Sequence, residues 1–272
     1  MRNLNPDRIE LYNKGCPVCF TRDHVKLHAK FGNLFYYLCE EHKVIFMTGL
    51  LSAKGLEAEL RGNKIQQFKR AFDNTVNAYG KNAHLNQAFI EPREFFRFLT
   101  SLVPDQESGC VLDINCHKGH TIFVAEEFGW ESFGLHPVDI YKVIIAAKPH
   151  LKNNFGKGFF FKLSKKVKSE SQDIVTYMHN VNNSPLINFE LKEAYRILKL
   201  GGAMVMQFNA PIDKNYEQKE KWSELDPKKN FIYFQMPALE IMAKRAGFQH
   251  VQFLEKPFKH IPGNTTAVMW KR

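Results

Sequence analysis

The second half of the chain alternates short apolar runs with segments that have helical character. The runs that we predict as strands are Cys110–Ile114, Ser132–Leu135, Asp173–Met178, Ala203–Phe208, His250–Leu254 and Thr265–Trp270. The segments that we predict as helices are Thr121–Phe128, Glu190–Leu198 and Pro237–Ala246. Strands that alternate with helices predict an α/β fold with a parallel, doubly wound, Rossmann-like sheet. Ligands of such sheets bind at the carboxyl ends of the strands.

The first half of the chain has a different pattern. The run Leu34–Leu38 predicts a strand. From about Leu50 to Val103 the spacing of apolar residues favours helices. The clearest helical stretches there are Glu57–Leu60, Lys64–Phe72 and Glu91–Leu99. The pattern predicts a small N-terminal module over residues 1–48, a helical linker region over 49–104 and an α/β domain over 105–272.

Composition places the chain among globular proteins. Of its 272 residues, 44% are hydrophobic and 24% are charged, which excludes a disordered or collagen-like chain. No apolar run approaches the ~18 residues of a membrane-spanning helix, so no transmembrane segment is predicted. The N-terminal residues lack the apolar core of a signal peptide, and we therefore expect a cytoplasmic protein.

The net charge of +10 favours anionic partners. Residues 141–170 contain eight lysines and one acidic residue, Glu170. Such a segment can contact nucleic acid or anionic lipid, but more often it is a solvated face. No recognisable nucleic-acid module accompanies it, so nucleic acid is not the favoured partner. The adjacent run Phe159–Phe161 predicts a core strand rather than a base-stacking platform.

Cys16, Cys19, Cys39 and His42 have the spacing of a metal site. The pattern is C-x2-C, nineteen residues, then C-x2-H, and zinc prefers four such ligands in a tetrahedron. An odd number of cysteines without a secretion signal argues against a disulfide framework. We predict a structural Zn²⁺ ion, since four protein ligands leave no position open for chemistry.

Two alternatives to this zinc site remain open. The three cysteines can be unrelated buried residues beside a surface histidine. His24 and His28 lie between the two ligand pairs and can compete with His42 as ligands. Their i, i+4 spacing is also typical of a surface helix, so we rank them below His42.

Several motifs appear in the order found in class I S-adenosylmethionine (SAM) dependent methyltransferases. Val111–Gly119 reads V-L-D-I-N-C-H-K-G and resembles the first motif, V-L-D-I-G-C-G-x-G. Gly134–Pro137 resembles G-V-D-P at the second strand, and Gln172–Thr176 resembles F-D-V-V-T at the fourth. Glu193–Gly202 is close to E-A-Y-R-V-L-K-P-G-G before the fifth strand. A knuckle pair at the N-terminus is also common in one branch, which includes sugar C-methyltransferases.

The resemblance implies a SAM site at the carboxyl ends of the first, second and fourth strands. The cofactor-binding residues that it implies are Asp113, Asn115, His117, Gly119, His136 and Met178. Asn115 and His117 stand where the family has glycines, and Asn adopts positive φ more readily than His. His136 stands where the family has the acid that binds both ribose hydroxyls. A neutral imidazole offers one acceptor where a carboxylate offers two oxygens.

The same resemblance implies transfer of the SAM methyl group to an acceptor that the sequence does not identify, and the positive charge favours an anionic one. His179, which follows the fourth strand, is the candidate general base. We expect His117, His120, His136 and His179 to converge. They can hold a second metal or a phosphate, but we favour their filling the volume that the missing glycines and acid vacate.

Two further questions remain open from the sequence. A catalytically silent methyltransferase fold that acts as a binding or scaffold protein is the alternative to an enzyme, since several positions that hold SAM are changed. The long polar segment between Pro211 and Phe231, with Tyr216 and Trp222, is either a lid over an acceptor pocket or a surface loop.

Overall fold

The computed structural model describes residues 8–12, 15–52, 90–104, 106–116, 119–137, 149–178, 181–227, 230–255 and 265–272. Its strands are β1 (Arg8–Glu10), β2 (Val25–Phe31), β3 (Leu34–Cys39), β4 (Val44–Thr48), β5 (Leu50–Ser52), β6 (Cys110–Ile114), β7 (Glu131–His136), β8 (Phe155–Lys157), β9 (Gln172–Tyr177), β10 (Leu198–Phe208), β11 (Ile232–Tyr233), β12 (His250–Glu255) and β13 (Thr265–Trp270). Its helices are α1 (Ile90–Ser101), α2 (His120–Glu127), α3 (Phe160–Leu163), α4 (Ile187–Ile197), α5 (Asp213–Gln218) and α6 (Met236–Ala246). None of these described helices is both long and apolar enough to cross a membrane.

Seven strands form the central sheet, in the order β12-β13-β10-β9-β6-β7-β8. The pairings from β10 to β8 are all parallel, which confirms the doubly wound α/β class. β13 instead runs antiparallel to both β10 and β12. The predicted parallel sheet therefore includes one antiparallel strand, β13. The nine residues between β12 and β13 are too few for the crossover that a parallel pair requires.

Successive side chains of the central strands bury opposite faces of the sheet. Val111 of β6 belongs to a buried cluster with Phe96 of α1 and Trp130, whose rings meet edge to face at 5.8 Å. Leu112, the next residue, belongs to the cluster on the other face, which includes Leu191 of α4. Each fully buried side chain of this kind contributes about 1.5–3 kcal/mol. Two packed faces therefore hold the strands of the sheet in a fixed arrangement.

The N-terminal residues form a four-stranded antiparallel sheet in the order β11-β4-β3-β2. β3 confirms the strand predicted at Leu34–Leu38. β11 comes from the second half of the chain and places Ile232 opposite Phe46 of β4. Cys16 and Phe46 also share the buried cluster of Leu191. The boundary at residue 48 stays a prediction, but sheet pairing and core packing both extend across it.

The helical prediction for the linker region is confirmed in one stretch and wrong in another. Glu91–Leu99 lies in α1. Leu50–Ser52 forms β5, which pairs antiparallel with β1, so a tertiary pairing overrides the local helical spacing there. The predicted helical stretches Glu57–Leu60 and Lys64–Phe72 lie outside the described residues.

Two other local predictions are wrong. Phe159–Phe161 is not a strand, because Phe160 begins α3. Its ring is buried, whereas the rings of Phe159 and Phe161 stack on each other at 5.2 Å. His24 and His28 do not share a surface helix either. His28 is buried within β2, at a shift in the register with β3, and His24 lies in the preceding turn.

Candidate cofactor site and metal centre

The carboxyl ends of β9, β6 and β7 meet at one edge of the central sheet. The registers of these pairings place Asn115, the residue after β6, between Met178 and His136. Asp113 lies two positions earlier in β6. Asp113, His136 and Met178 are buried. The structure thus brings four of the residues predicted to bind a cofactor to the same edge.

Two described residues between β6 and α2 have the positive φ that is typical of glycines in a glycine-rich loop. Asn115 has a φ of +64° and Gly119 a φ of +69°. The N–H of Gly119 donates to the carbonyl of Cys116 at 2.7 Å, and the N–H of Cys116 donates to the carbonyl of Leu135 at 2.9 Å. Asn tolerates this left-handed region better than most residues. A tight turn therefore forms without glycine at position 115, and Gly119 leads into the first turn of α2.

Asp113 is a buried carboxyl group beneath this turn. Its Oδ1 accepts a hydrogen bond from Oγ1 of Thr176 at 2.8 Å. Burial raises the pKa of Asp113 to about 7, although hydrogen bonds from Thr176 and Thr121 act to lower it. Thr176 was not among the residues predicted for the site. Its polar side chain within an apolar strand is the sequence signal that points to it.

The four histidines predicted to converge are only partly described. His136 ends β7, and its carbonyl accepts from the N–H of Gly158 at 2.9 Å. His120 begins α2 and is half-buried. His117 and His179 lie outside the described residues. The convergence, the cofactor role of His117 and the role of His179 as a general base stay predictions.

Cys16, Cys19, Cys39 and His42 come together as a candidate metal centre. Their ligand atoms all lie within 4.8 Å of one another. Sγ of Cys39 is 3.6 Å from Nδ1 of His42. In a tetrahedral zinc site with bonds of ~2.3 Å to sulfur and ~2.0 Å to nitrogen, two such atoms are about 3.5 Å apart. The four ligands need only small adjustments to hold a zinc ion.

The first ligand pair sits on a tight turn. The N–H of Phe20 donates to the carbonyl of Cys16 at 2.8 Å, and the N–H of Cys16 donates to the carbonyl of Thr21 at 3.1 Å. Gly15 has a φ of +118°, and a Cβ atom there would lie 2.2 Å from the carbonyl oxygen of Thr21. Only glycine fits at that position. These contacts fix the direction in which the Cys16 side chain points.

The thiols of the candidate metal centre differ in acidity. Burial raises the pKa of Cys16 and of Cys39. Burial also acts to raise the pKa of Cys19, but hydrogen bonds from Thr21 and with the thiols of Cys16 and Cys39 together lower that pKa. Since zinc binds thiolates, a bound cation would offset the cost of ionising the two buried thiols.

The turn that carries Cys16 and Cys19 docks onto two helices of the α/β half. Nδ2 of Asn188 in α4 donates to the carbonyl of Pro17 at 2.8 Å. Nη1 of Arg245 in α6 donates to the carbonyl of Val18 at 2.7 Å, and its guanidinium lies 4.7 Å from the centre of the Phe20 ring. Sequence reasoning missed both contacts, because the partners are far apart in the chain.

The segment between Pro211 and Phe231 packs against the N-terminal sheet. Trp222 is buried, and its ring lies 4.5 Å from that of Tyr233 in β11. The hydroxyl of Tyr216 in α5 donates to the carbonyl of Lys43 at 2.8 Å. Neither a mobile lid nor a plain surface loop describes this packing. The segment covers the N-terminal sheet and contributes to its core.

A second buried carboxyl group, Glu190, lies on α4 and was also missed. Oγ of Ser184 donates to its Oε2 at 2.5 Å. Burial raises the pKa of Glu190 to about 7, although hydrogen bonds from Ser184 and Tyr177 act to lower it. Glu190 shares the buried face of α4 with Ile187 and Leu191. Glu190 lies at the helical spacing of these buried apolar residues, and that spacing in the sequence indicates its burial.

A cavity of about 820 Å³ lies beside the end of β10. It is lined by Ala210, Pro211, Ile212, Asp213, Gln235, Met236, Pro237, Phe253, Leu254 and Thr265. Its volume lies within the range of small-molecule pockets. Because β10 and β9 are parallel neighbours, this cavity and Met178 belong to the same carboxyl edge.

The chain is similar to known methyltransferases. The family model of the methyltransferase domain matches residues 85–252. A methyltransferase structure from Burkholderia thailandensis (1,6-didemethyltoxoflavin-N1-methyltransferase with bound 1,6-didemethyltoxoflavin and S-adenosylhomocysteine) is 13% identical, covers 90% of this chain and 97% of its own, and has a TM-score of 0.51. A SAM dependent methyltransferase from Archaeoglobus fulgidus is 17% identical over 65% of this chain and 93% of its own, with a TM-score of 0.48. No curated protein matches the sequence.

Proposed function

Because the chain belongs to the methyltransferase domain family, we propose that it is a SAM-dependent methyltransferase. The observation that carries the proposal lies between β6 and α2. Asn115 stands there in place of a glycine of the family motif, and it adopts a φ of +64°, in the region that glycine favours. SAM, when bound, supplies a methyl group that its sulfonium already activates. The protein then mainly has to align the acceptor with that group and exclude water.

The residues at the carboxyl edge support this proposal. Asn115 and Gly119 lie on either side of His117 in the sequence, and we assign this stretch to the homocysteine end of the cofactor. His136 takes the place of the ribose-binding acid and offers an acceptor nitrogen when neutral. Met178 gives the same edge an apolar surface. Asp113 supports the turn from below, held by its hydrogen bond from Thr176.

The acceptor is a nucleophile whose identity is open, and the net charge of +10 favours an anionic molecule. His179 follows Met178 at the end of β9, so we assign it the role of general base for a hydroxyl or amine acceptor. The cavity beside the end of β10, of about 820 Å³, is the candidate acceptor space.

We also propose that Cys16, Cys19, Cys39 and His42 bind one structural zinc ion. Their mutual separations support a tetrahedral site. With four protein ligands the ion has no open position, so its role is to hold the N-terminal turn against β3. One zinc per chain, measured by elemental analysis of protein purified without added metal, is the expected result. Less than a tenth of that amount in folded protein would contradict it.

The experiment for the enzyme is a thermal unfolding series with S-adenosylhomocysteine, adenosine and methionine as separate additives. We expect the first to raise the melting temperature and the two fragments to do so far less, because each occupies only part of the site. Extracts treated with labelled SAM would then be searched for methylated products. His179→Ala should retain the thermal shift and lose turnover. Unchanged turnover would remove His179 from the mechanism, and no thermal shift would favour a scaffold role.

A further inference from the structure

Among the described residues, only a short connection covers one face of the central sheet at β6, β7 and β8. The connection from β8 to β9 contains the four residues of α3 and the 3₁₀ turn Ser164–Lys166. A typical crossover helix has about 11–12 residues. A cavity of about 460 Å³ remains between this short connection and the sheet.

The walls of this cavity are mostly apolar. Leu112, Phe133 and Leu135 contribute from the sheet, and Leu163 and Val167 contribute from the connection. Leu112 and Leu135 are almost fully buried. The volume lies within the ~300–1,000 Å³ range of small-molecule pockets. The cavity can therefore hold the apolar body of one small ligand.

Lysines surround this apolar space. Lys157, Lys166 and Lys168 line the cavity, and Lys162 and Lys165 lie in the same short connection. The one acidic residue of the connection, Glu170, has its Oε1 3.2 Å from Nζ of Lys271. Within the described part of the chain, neither Lys166 nor Lys168 forms an ion pair with a carboxylate. An anionic group at the rim would supply the missing opposite charge.

The cavity is separate from the candidate cofactor site. It is lined by Ser171 and Gln172, at the amino end of β9, and it also reaches Leu135, the residue before His136 in β7, and Lys157 of β8. Met178 lies at the other end of that strand, about 20 Å away for an extended segment of six residues. Leu135 and His136 are successive residues of β7, so their side chains point to opposite faces of the sheet. A ligand against Leu135 would therefore lie on the other face of the sheet from the His136 side chain.

We propose that this cavity binds one single-chain amphiphile with an anionic head, such as a medium-chain fatty acid. Its chain would lie against Leu112, Leu135 and Val167, and its carboxylate would contact Lys166 and Lys168. A lipid bilayer fits less well, because membrane-binding surfaces present exposed apolar side chains beside their basic residues. Among the described residues 149–178, no large apolar side chain is exposed.

The test is a calorimetric titration of the full chain with decanoate below the concentration at which it forms micelles. Decanol and decyltrimethylammonium serve as neutral and cationic probes of the same chain length. We expect decanoate to bind with one molecule per chain, decanol about tenfold more weakly and the cation not at all. Excess SAM should leave the decanoate affinity unchanged.

Variants locate the site. Lys166→Glu combined with Lys168→Glu should weaken decanoate binding by about tenfold or more. Val167→Phe should weaken it by filling the cavity while the lysines remain. Lys214→Glu is the matched control, since Lys214 is exposed on α5 beside the other cavity, and it should bind decanoate like the unmodified chain.

Three outcomes would overturn the proposal. The first is equal affinity for the three probes, which would show that the charge plays no part. The second is decanoate binding that persists in both Val167→Phe and the double variant Lys166→Glu with Lys168→Glu. Loss of decanoate binding in Lys214→Glu, or on addition of SAM, would count equally against the site. The third is binding to anionic vesicles without binding to monomeric decanoate, which would indicate surface adsorption to lipid.

Discussion

At the scale of single residues, His136 is the substitution with the clearest expected effect on cofactor binding. It ends β7 as a buried side chain beside the turn that begins at Asn115. The family resemblance places a carboxylate there, which would accept two charge-assisted hydrogen bonds. One neutral nitrogen replaces those two acceptors.

Restoring the carboxylate should therefore tighten cofactor binding. His136→Asp is expected to raise the affinity for S-adenosylhomocysteine by about tenfold, since a hydrogen bond to a charged group contributes about 1.5–3 kcal/mol. His136→Asn, of similar size and without charge, is the control and should show no gain. Equal affinities for the two variants in a calorimetric titration would show that position 136 does not face the ribose.

Glu190 gives a prediction about pH. Its pKa is raised by burial to about 7 in the folded chain and returns to its ordinary value of 4.5 on unfolding. Between these values the folded state keeps a proton that the unfolded state releases, so the free energy of unfolding falls as the pH rises. Glu190→Gln should reduce the fall between pH 5 and pH 7.5 by about 2 kcal/mol, as measured by urea unfolding.

Glu193→Gln is the control for this pH effect. Glu193 lies on the same helix, and burial acts to raise its pKa, but hydrogen bonds from Arg196 and Ser164 and the charges of Arg196 and Lys165 together hold that pKa below the ordinary range. It is therefore ionised in both states across this interval and should leave the fall unchanged. The assignment of the effect to Glu190 would be wrong if Glu190→Gln kept the full pH dependence.

At the scale of elements, the interpretation of the segment from Pro211 to Phe231 changes most between the sequence and the structure. Its length and polarity are typical of a lid or a loop. In the structure it contains α5 and places Trp222 in the buried core of the N-terminal sheet, to which β11 belongs. The reason is that β11 joins β4 across about 190 residues of chain, a pairing that no local pattern reveals.

Trp222 distinguishes a core element from a lid. Trp222→Ala should destabilise the protein by about 3–5 kcal/mol, because it leaves a large cavity beside Tyr233. Trp222→Phe keeps most of the apolar volume and should cost clearly less. Chemical denaturation measures both variants. A lid would instead leave the free energy of unfolding of Trp222→Ala close to that of the unmodified chain.

At the scale of the whole molecule, the candidate metal centre and the central sheet share one buried cluster. Cys16 and Cys39 belong to the cluster that also holds Leu112, Leu191 and Met242. Asn188 and Arg245 tie the same turn to α4 and α6. Loss of the metal should therefore destabilise the whole protein rather than its first residues alone.

Removal of the metal should lower the melting temperature in a single transition. Structural zinc contributes several kcal/mol or more to folding, so we expect a chelator to lower the melting temperature by about 10 °C or more. Cys39→Ser should reproduce this change without chelator, and Cys110→Ser, at a half-buried cysteine outside the centre, should not. Two separate transitions, or no shift on chelation, would contradict a shared core.

The sequence predicts those parts of the fold that local pattern determines. Short apolar runs such as Cys110–Ile114 identify the central strands, and the tolerance of Asn115 for positive φ predicts the turn that follows. The antiparallel direction of β13, the strand β11 and the burial of Glu190 depend on partners distant in the chain. The spacing of Cys16, Cys19, Cys39 and His42 predicts a cluster that the structure does bring together. No sequence pattern predicts that the turn of Cys16 and Cys19 contacts Asn188 and Arg245.

The central claim is that the carboxyl edge around Asn115 and His136 binds SAM. The most direct measurement is a calorimetric titration of zinc-loaded protein with SAM and, separately, with S-adenosylhomocysteine. The account predicts micromolar binding of both, with one molecule per chain. No heat at millimolar ligand, in protein shown to be folded, would contradict it and would mean that this methyltransferase fold works without the cofactor.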